Sequence, residues 1–181
     1  MTKPPEHDTS QVFDATPYLK LFINKEGRWF QNNAEIIHPE IYLEFNRLLE
    51  KTEDGGYLVR MGHEICRVEV EDAPFVVLSV IEEKPGDLIM VLNDRHQEPF
   101  DPERFWIGQD NIPYSAVKED RFHARFSRAA YYQLAKHIIP GEDDETFYFV
   151  KDDKRILVRK EPAHESLFSY EPLHTKSHDV H

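Results

Sequence analysis

The sequence predicts an α+β protein of two related halves, each a small, mainly antiparallel sheet with one principal helix. Three observations carry that prediction. Short segments of alternating apolar and polar residues are punctuated by Gly, Pro and Asn turns. Two segments instead carry apolar residues at i, i+3 and i+4, the spacing of a helix that buries one face. The order strand, helix, hairpin then recurs, with Ala34 answered by Ala124, Tyr42 by Tyr132 and Leu48-Leu49 by Ile138-Ile139, each pair 90 residues apart. That interval is much longer than a solenoid unit, so duplication of a whole domain is expected and a repeat array is not. The expected divisions are a tail over 1–16, halves over 17–92 and 93–160, and a second tail over 161–181.

The first ordered block is Tyr18 to Ile23, ended by the turn Asn24-Lys25-Glu26-Gly27. Arg28 to Gln31 and Ala34 to Ile37 form a hairpin around Asn32-Asn33, because asparagine tolerates the left-handed backbone of a tight turn. Pro39 suits the first turn of a helix, with His38 a mediocre cap before it. Ile41, Tyr42, Phe45, Leu48 and Leu49 supply that helix's apolar face, which ends before Asp54-Gly55-Gly56. A second hairpin turns at Gly62-His63-Glu64. Its return strand sets Cys66, Val68 and Val70 opposite Arg67 and Glu69. Phe75 to Ile81 is uniformly apolar and predicts a strand buried on both faces. Pro85-Gly86-Asp87 turns the chain into Leu88 to Leu92, and Asn93 to Arg104 reads as a polar loop between the halves.

Order resumes at Phe105-Trp106-Ile107. Ser127 is a good cap for a helix from Arg128, with apolar positions at Tyr131, Tyr132, Leu134, Ala135, Ile138 and Ile139, stopped by Pro140-Gly141. Thr146 to Val150, a turn at Lys151-Asp152-Asp153, and Arg155 to Arg159 predict a closing hairpin.

Composition narrows the function classes. Hydrophobic residues at 40% and charged residues at 31% of 181 match a folded globular chain. A net charge of −12 argues against unspecific nucleic-acid binding and against anionic lipid surfaces. The polar start Met1 to Ser10 lacks the pattern of a secretory signal, and no apolar run is long enough to span a bilayer, so the cytoplasm is the expected compartment. The single cysteine, Cys66, makes no internal disulfide and no Cys-rich zinc site.

No motif with a strong catalytic mechanism is present: there is no Gly-rich phosphate loop, H-E-x-x-H, G-x-S-x-G or paired-Cys motif. Neither a cofactor nor a metal site is predicted. Cys66 shares a strand face with Val68 and Val70 and reads as buried and structural. His63 with Glu64, and His96 with Glu98, read as solvated turns, and His164, His174, His178 and His181 lack ligand spacing. Arg121, Arg125 and Arg128 stand out in so acidic a chain. They form either a local anion site, aided by exposed amides at a helix start, or, for Arg121 and Arg125, the wet face of an edge strand. Asp72, in Glu71-Asp72-Ala73-Pro74, either satisfies turn amides or accepts from a ligand in a cleft.

The chain resembles a family of uncharacterised bacterial proteins, the domain-of-unknown-function family twelve-eighty-five. The residues that carry the resemblance are Gly27-Arg28-Trp29-Phe30, the helix through Phe45 to Leu49, Gly56-Tyr57-Leu58-Val59 followed by Glu64, and Val68 to Phe75. Asn93-Asp94 and Ser127 to Tyr132 add to it. It covers roughly 18–160, and Asp72-Ala73-Pro74-Phe75 is its most specific stretch. The chain departs from the family pattern at Met61-Gly62-His63, where a Thr-Pro pair is usual, and in the last hairpin, which lacks the usual glycines and tryptophan. What the resemblance implies is a duplicated core, a C-terminal half similar to pleckstrin-homology folds, and a nucleotide-like ligand between the halves in signalling.

The leading expectation is therefore a non-enzymatic module that binds a small anionic, nucleotide-like molecule in the groove between halves. Arg128 is expected to take phosphate, Trp29, Phe75 or Tyr131 to stack, and Glu64 and Asp72 to meet polar groups. The alternatives are a protein-interaction adaptor using a sheet edge or aromatic patch, and an acid/base hydrolase using Glu64, Asp72 and a histidine.

Overall fold

The computed structural model describes residues 12–143, 145–151 and 154–160, and the tail histidines and the Asp152-Asp153 turn lie outside them. Among the described residues the protein is mainly β with two α-helices and mixed sheets, an α+β fold. No described helix is long and apolar enough to cross a membrane.

The first sheet holds β1 (Phe13–Asp14), β2 (Leu21–Ile23), β3 (Trp29–Gln31), β4 (Ala34–Glu35), β5 (Leu49–Lys51), β6 (Tyr57–Met61) and β7 (Glu64–Val70). Its order is β4-β3-β2-β7-β6-β5, with β1 also on β7. The hairpin between β3 and β4 turns at Asn32 and Asn33, both with positive φ, as that dipeptide requires. Gly62 has positive φ between β6 and β7, where Met61 pairs with Glu64. Helix α1 (Pro39–Leu48) has proline in its first turn, and His38 makes no side-chain cap bond. It lays Tyr42, Phe45 and Leu48 on the first sheet's share of the core.

The second sheet holds β8 (Phe75–Lys84), β9 (Asp87–Leu92), β10 (Gln97–Pro99), β11 (Phe105–Ile107), β12 (Pro113–Val117), β13 (Phe122–Phe126) and β17 (Arg159–Lys160), in the order β10-β9-β8-β13-β12-β11-β17. Helix α2 (Arg128–Ala135) follows β13, and the Ser127 hydroxyl accepts from the Ala130 amide at 3.1 Å, the predicted cap. A third sheet, β14 (Ile138–Pro140), β15 (Phe147–Lys151) and β16 (Lys154–Leu157), lies between α2 and β17 in the chain.

The two large sheets share one strand order. In each, three strands joined by hairpins precede three more, and the first strand of one triplet lies parallel to the last of the other: β2 on β7, and β8 on β13. Matching strands β5 and β11 begin 56 residues apart, at Leu49 and Phe105, and so do β6 and β12, at Tyr57 and Pro113. Strand pairing thus does not follow the 90-residue correspondence, which rested on aligning α1 with α2. Helix α1 lies inside the first sheet's connection, whereas α2 comes after the last strand of the second triplet. Sheet membership changes between Val70 and Phe75, and the 92/93 division falls between β9 and β10, which pair with each other.

Three local expectations are corrected. Leu49 leaves the helix and pairs with Val59, and Ile138 and Ile139 pair with Phe149 and Tyr148, so apolar residues read at helical spacing are strand residues. Asn93 to Arg104 is no plain loop, since it contains β10. Of the Phe75 to Ile81 run, Phe75, Val76 and Val77 are buried but Leu78 and Ile81 are each 47% exposed. The parallel partner β13 reaches only to Val77, and beyond it the edge of β8 is met by side chains, Ser127 on the Leu78 carbonyl and Gln133 of α2 on the Val80 amide, in place of a strand.

One apolar cluster runs through both large sheets. Leu21, Ile23, Trp29, Val59, Cys66 and Val68 meet Phe75, Val77 and Phe122, and Phe105, Phe126 and Phe149 extend it beneath Ala130 and Leu134 of α2. The ring pairs Phe75–Phe122 and Phe105–Phe149 meet edge-on at 5.2 and 5.3 Å, a geometry that aligns ring edges with π faces.

Candidate functional site

The two large sheets are tied at one seam. Glu71 to Pro74 joins β7 directly to β8, and the Glu71 amide donates to the Ile23 carbonyl while its carboxylate accepts from the Lys25 amide at 2.8 Å. Asn93 fastens the same corner from the other side. Its side-chain oxygen accepts from the Val76 amide at 3.0 Å, and its nitrogen donates to the Gly27 carbonyl at 3.0 Å. Gly27 has φ +75°, and a Cβ there would lie 2.5 Å from the Asn93 nitrogen, so only glycine allows this approach.

Asp72 sits in this linker between two partners. One carboxylate oxygen accepts from the Tyr114 hydroxyl at 2.8 Å, and the other accepts from Arg125 Nη1 at 2.6 Å. Burial and the neighbouring carboxylate together push the Tyr114 phenol well above its ordinary range. Arg125 therefore lies not on an edge strand but on β13, which is flanked by β8 and β12. The Arg121 side chain donates to the Lys118 carbonyl and packs over Phe122, away from Arg125.

Beside the seam is a cleft of about 310 Å³. Lys25, from the turn between β2 and β3, forms one wall, and Arg125 and Arg128 form the other, with Val76 and Leu78 between them. Glu26 is the single acidic residue among those that line it. Arg128 is the first residue of α2, where amides without helical partners give the helix start a partial positive charge. Among the described residues neither Arg128 nor Lys25 makes an ion pair, whereas Arg125 is shared with Asp72.

The six residues expected to form a site are only partly gathered. Arg128 lines the cleft, and Asp72 reaches its edge through Arg125. Trp29 is 1% exposed, with its indole N–H on the Asn46 oxygen at 3.0 Å and its ring 5.4 Å from Phe45. Phe75 is fully buried, beneath the Lys118 ammonium, 4.7 Å from the ring centre. Neither ring offers a face to a ligand, so the stacking expected of both gives way to core packing. Tyr131 lines a different, apolar cleft below α2. Glu64 is at the hairpin end of β7, roughly 20 Å along the strand from the Asp72 end at a rise of about 3.3 Å per residue. A hydrolase built on Glu64 and Asp72 needs both in one cleft, and they are not.

Cys66 is buried as expected, its thiol directed at the Leu19 carbonyl at 2.8 Å and its pKa raised chiefly by burial. His96 faces Glu98 at 3.4 Å, and no group of three or more His, Cys, Asp or Glu side chains suited to a metal occurs among the described residues. Lys25 and Tyr114 were not predicted. Lys25 and Arg125 are 100 residues apart in the chain, and no local pattern in the sequence joins them.

The fold and seam define an α+β protein of two like-ordered sheets with a basic cleft where they meet. That fold is shared with solved proteins of the DUF1285 family, the family the sequence resembles. A DUF1285 family protein from Silicibacter pomeroyi DSS-3 aligns over 88% of this chain and 89% of its own, with a TM-score of 0.64 at 17% identity. Another from Shewanella baltica OS155 aligns over 67% of this chain and 94% of its own, with a TM-score of 0.55 at 21% identity. At these identities the likeness establishes the fold. No protein-family model and no curated protein matches the chain.

Proposed function

We propose that the protein is a non-enzymatic module that binds a small anionic, nucleotide-like molecule in the cleft at the seam, acting in cytoplasmic signalling. The observation that carries this reading is the meeting of Lys25, Arg125 and Arg128 around one cleft in a chain of net charge −12. Of these three cations only Arg125 has an ion-pair partner among the described residues, so the cleft keeps positive charge that an anionic ligand would offset. Arg128, at the positive start of α2, takes the phosphate through charge-assisted bonds. Arg125, already fixed by Asp72, offers its remaining N–H donors in a set direction. Lys25 closes from the other sheet, so ligand binding draws the two sheets together at the seam. Halves related by duplication fit this arrangement, because a groove arises where two similar units pack.

A thermal-shift panel of nucleotides and phosphorylated metabolites tests the reading. A ligand at 100 times its dissociation constant raises stability by about 2.7 kcal/mol. The shift is expected to disappear in Arg128→Ala and to shrink in Lys25→Ala. A panel without any shift, or shifts that Arg128→Ala leaves intact, would overturn it.

A further inference from the structure

A second cleft, of about 410 Å³, lies between α2 and the third sheet and is separate from the basic one. It exists because the chain changes sheets there. The Val158 amide donates to the Phe147 carbonyl at 2.8 Å, and the next two residues leave to pair with Trp106 and Ile107 of the second sheet. The crossing holds α2 and β14 apart from β17. Tyr131 and Ala135 form one wall, Ile138 and Phe147 the other, and Ile107 lies beneath. Phe147 keeps 38% of its surface exposed, although it stands among apolar neighbours.

The cleft has one polar end. Lys160 is in register with Ile107, and Asn111 follows Ile107 after a turn closed by the Gly108 amide on the Ile112 carbonyl at 2.8 Å. The ammonium and the side-chain amide therefore belong to the same rim. Among the described residues Asp143 is near enough for its charge to act on Lys160, and its carboxylate also accepts from the Thr146 amide and hydroxyl, both at 2.6 Å, and from the Glu145 amide. A volume of this size, apolar walls and a few polar groups at one end are the usual make-up of a small-molecule site. One lysine in an acidic protein balances a single negative charge and not a phosphate dianion.

We propose that this cleft binds a small hydrophobic carboxylate, with the alkyl or aryl body between α2 and the third sheet and the carboxylate at Lys160 and Asn111. The acid is taken up as a free monomer from solution.

Calorimetric titration of the full chain with octanoate, against octanol as the uncharged counterpart, tests it. Octanoate is expected to bind saturably at one site, with octanol at least tenfold weaker. Lengthening the acid by one methylene should tighten binding about fourfold while the walls still have room. Lys160→Gln removes the preference for the acid and leaves octanol unchanged, while Ala135→Phe fills the cleft and abolishes both. Arg128→Ala, at the other cleft, leaves octanoate binding intact and keeps the two sites distinguishable. Equal binding of acid and alcohol, or no saturable heat, would overturn the proposal. So would full octanoate affinity in Lys160→Gln or in a folded Ala135→Phe. Pelleting with phosphatidylglycerol vesicles without binding of monomeric octanoate would assign the cleft to a lipid surface and overturn it too.

Discussion

Arg125 donates to Asp72 at 2.6 Å, and the bond ties the linker between the two large sheets to the central strand of the second. Both side chains are largely shielded, at 25% and 22% exposure, so water only partly screens the pair. Asp72 also holds Tyr114, whose ring stacks on Trp106 at 5.8 Å. Linker, β12 and β13 are thereby fixed by one carboxylate.

Asp72→Ala should cost about 1–3 kcal/mol, because it leaves a shielded guanidinium and a phenol without their acceptor. Asp72→Asn should cost less, since its amide oxygen still accepts. Urea denaturation of Asp72→Asn, Arg125→Gln and the double variant should give a coupling energy of about 1 kcal/mol, whereas strictly additive costs would show the bond to be idle.

Tyr114 gives a pH dependence of definite sign. Its phenol is raised above the ordinary 10.0, first by burial and then by Asp72, and Tyr57 is raised by burial in the same direction. The folded protein keeps protons that the unfolded chain gives up. This stabilisation is complete below about pH 10 and falls as pH rises further, by up to about 1.4 kcal/mol per pH unit for each such group. Denaturation midpoints at pH 8 and pH 11 should differ more in the parent than in Tyr114→Phe.

The Trp29–Asn46 bond lies in the core, and the Asn46 side-chain nitrogen finds no acceptor among the described residues. Trp29→Phe should therefore destabilise by about 2–4 kcal/mol through lost ring volume and a stranded amide oxygen. Adding Asn46→Leu removes that stranded group, and part of the loss should return. A double variant no more stable than Trp29→Phe would contradict this.

Gly27→Ala forces a side chain into left-handed backbone and against Asn93 and Val76. The expected cost is about 2–4 kcal/mol, read from the thermal midpoint. Because Gly27 adjoins Lys25, the same change should weaken any anion bound in the seam cleft.

Lys118, Glu119 and Asp120 hold three consecutive positive φ angles without a glycine. Lys118 is anchored there by its amide on the Glu98 carboxylate and its ammonium on Asp94 at 2.6 Å, which offsets the strain. Glu119 is exposed, with φ 61°. Glu119→Gly is expected to stabilise by about 0.5–1 kcal/mol, whereas Lys118→Gly should destabilise by losing the ion pair. Equal effects at the two positions would refute that division.

Much of the fold was legible wherever one local force acts alone. Asn32-Asn33 and Gly62 bend hairpins because their own backbones favour the left-handed region. Ser127 caps α2 through an oxygen three residues from the amide it receives. Cys66 and Val68 are buried because strand alternation sends them inward. Legibility failed where a distant strand decided the outcome. Leu49 and Ile138 satisfy helical spacing, yet their backbones are claimed by β6 and β15. The 90-residue echo was a similarity of the two helices, while pairing between strands set a different correspondence.

The sequence by itself determined the α+β class, the turns, the cap and the burial of its lone cysteine, because each depends on neighbours a few residues away. Tertiary structure alone decided that the seam falls at Asp72, that Trp29 and Phe75 are core, and that Lys25 meets Arg125 and Arg128. Those relations rest on pairings and charges brought together from far along the chain, and the free energy of such contacts exists only once both sheets have formed.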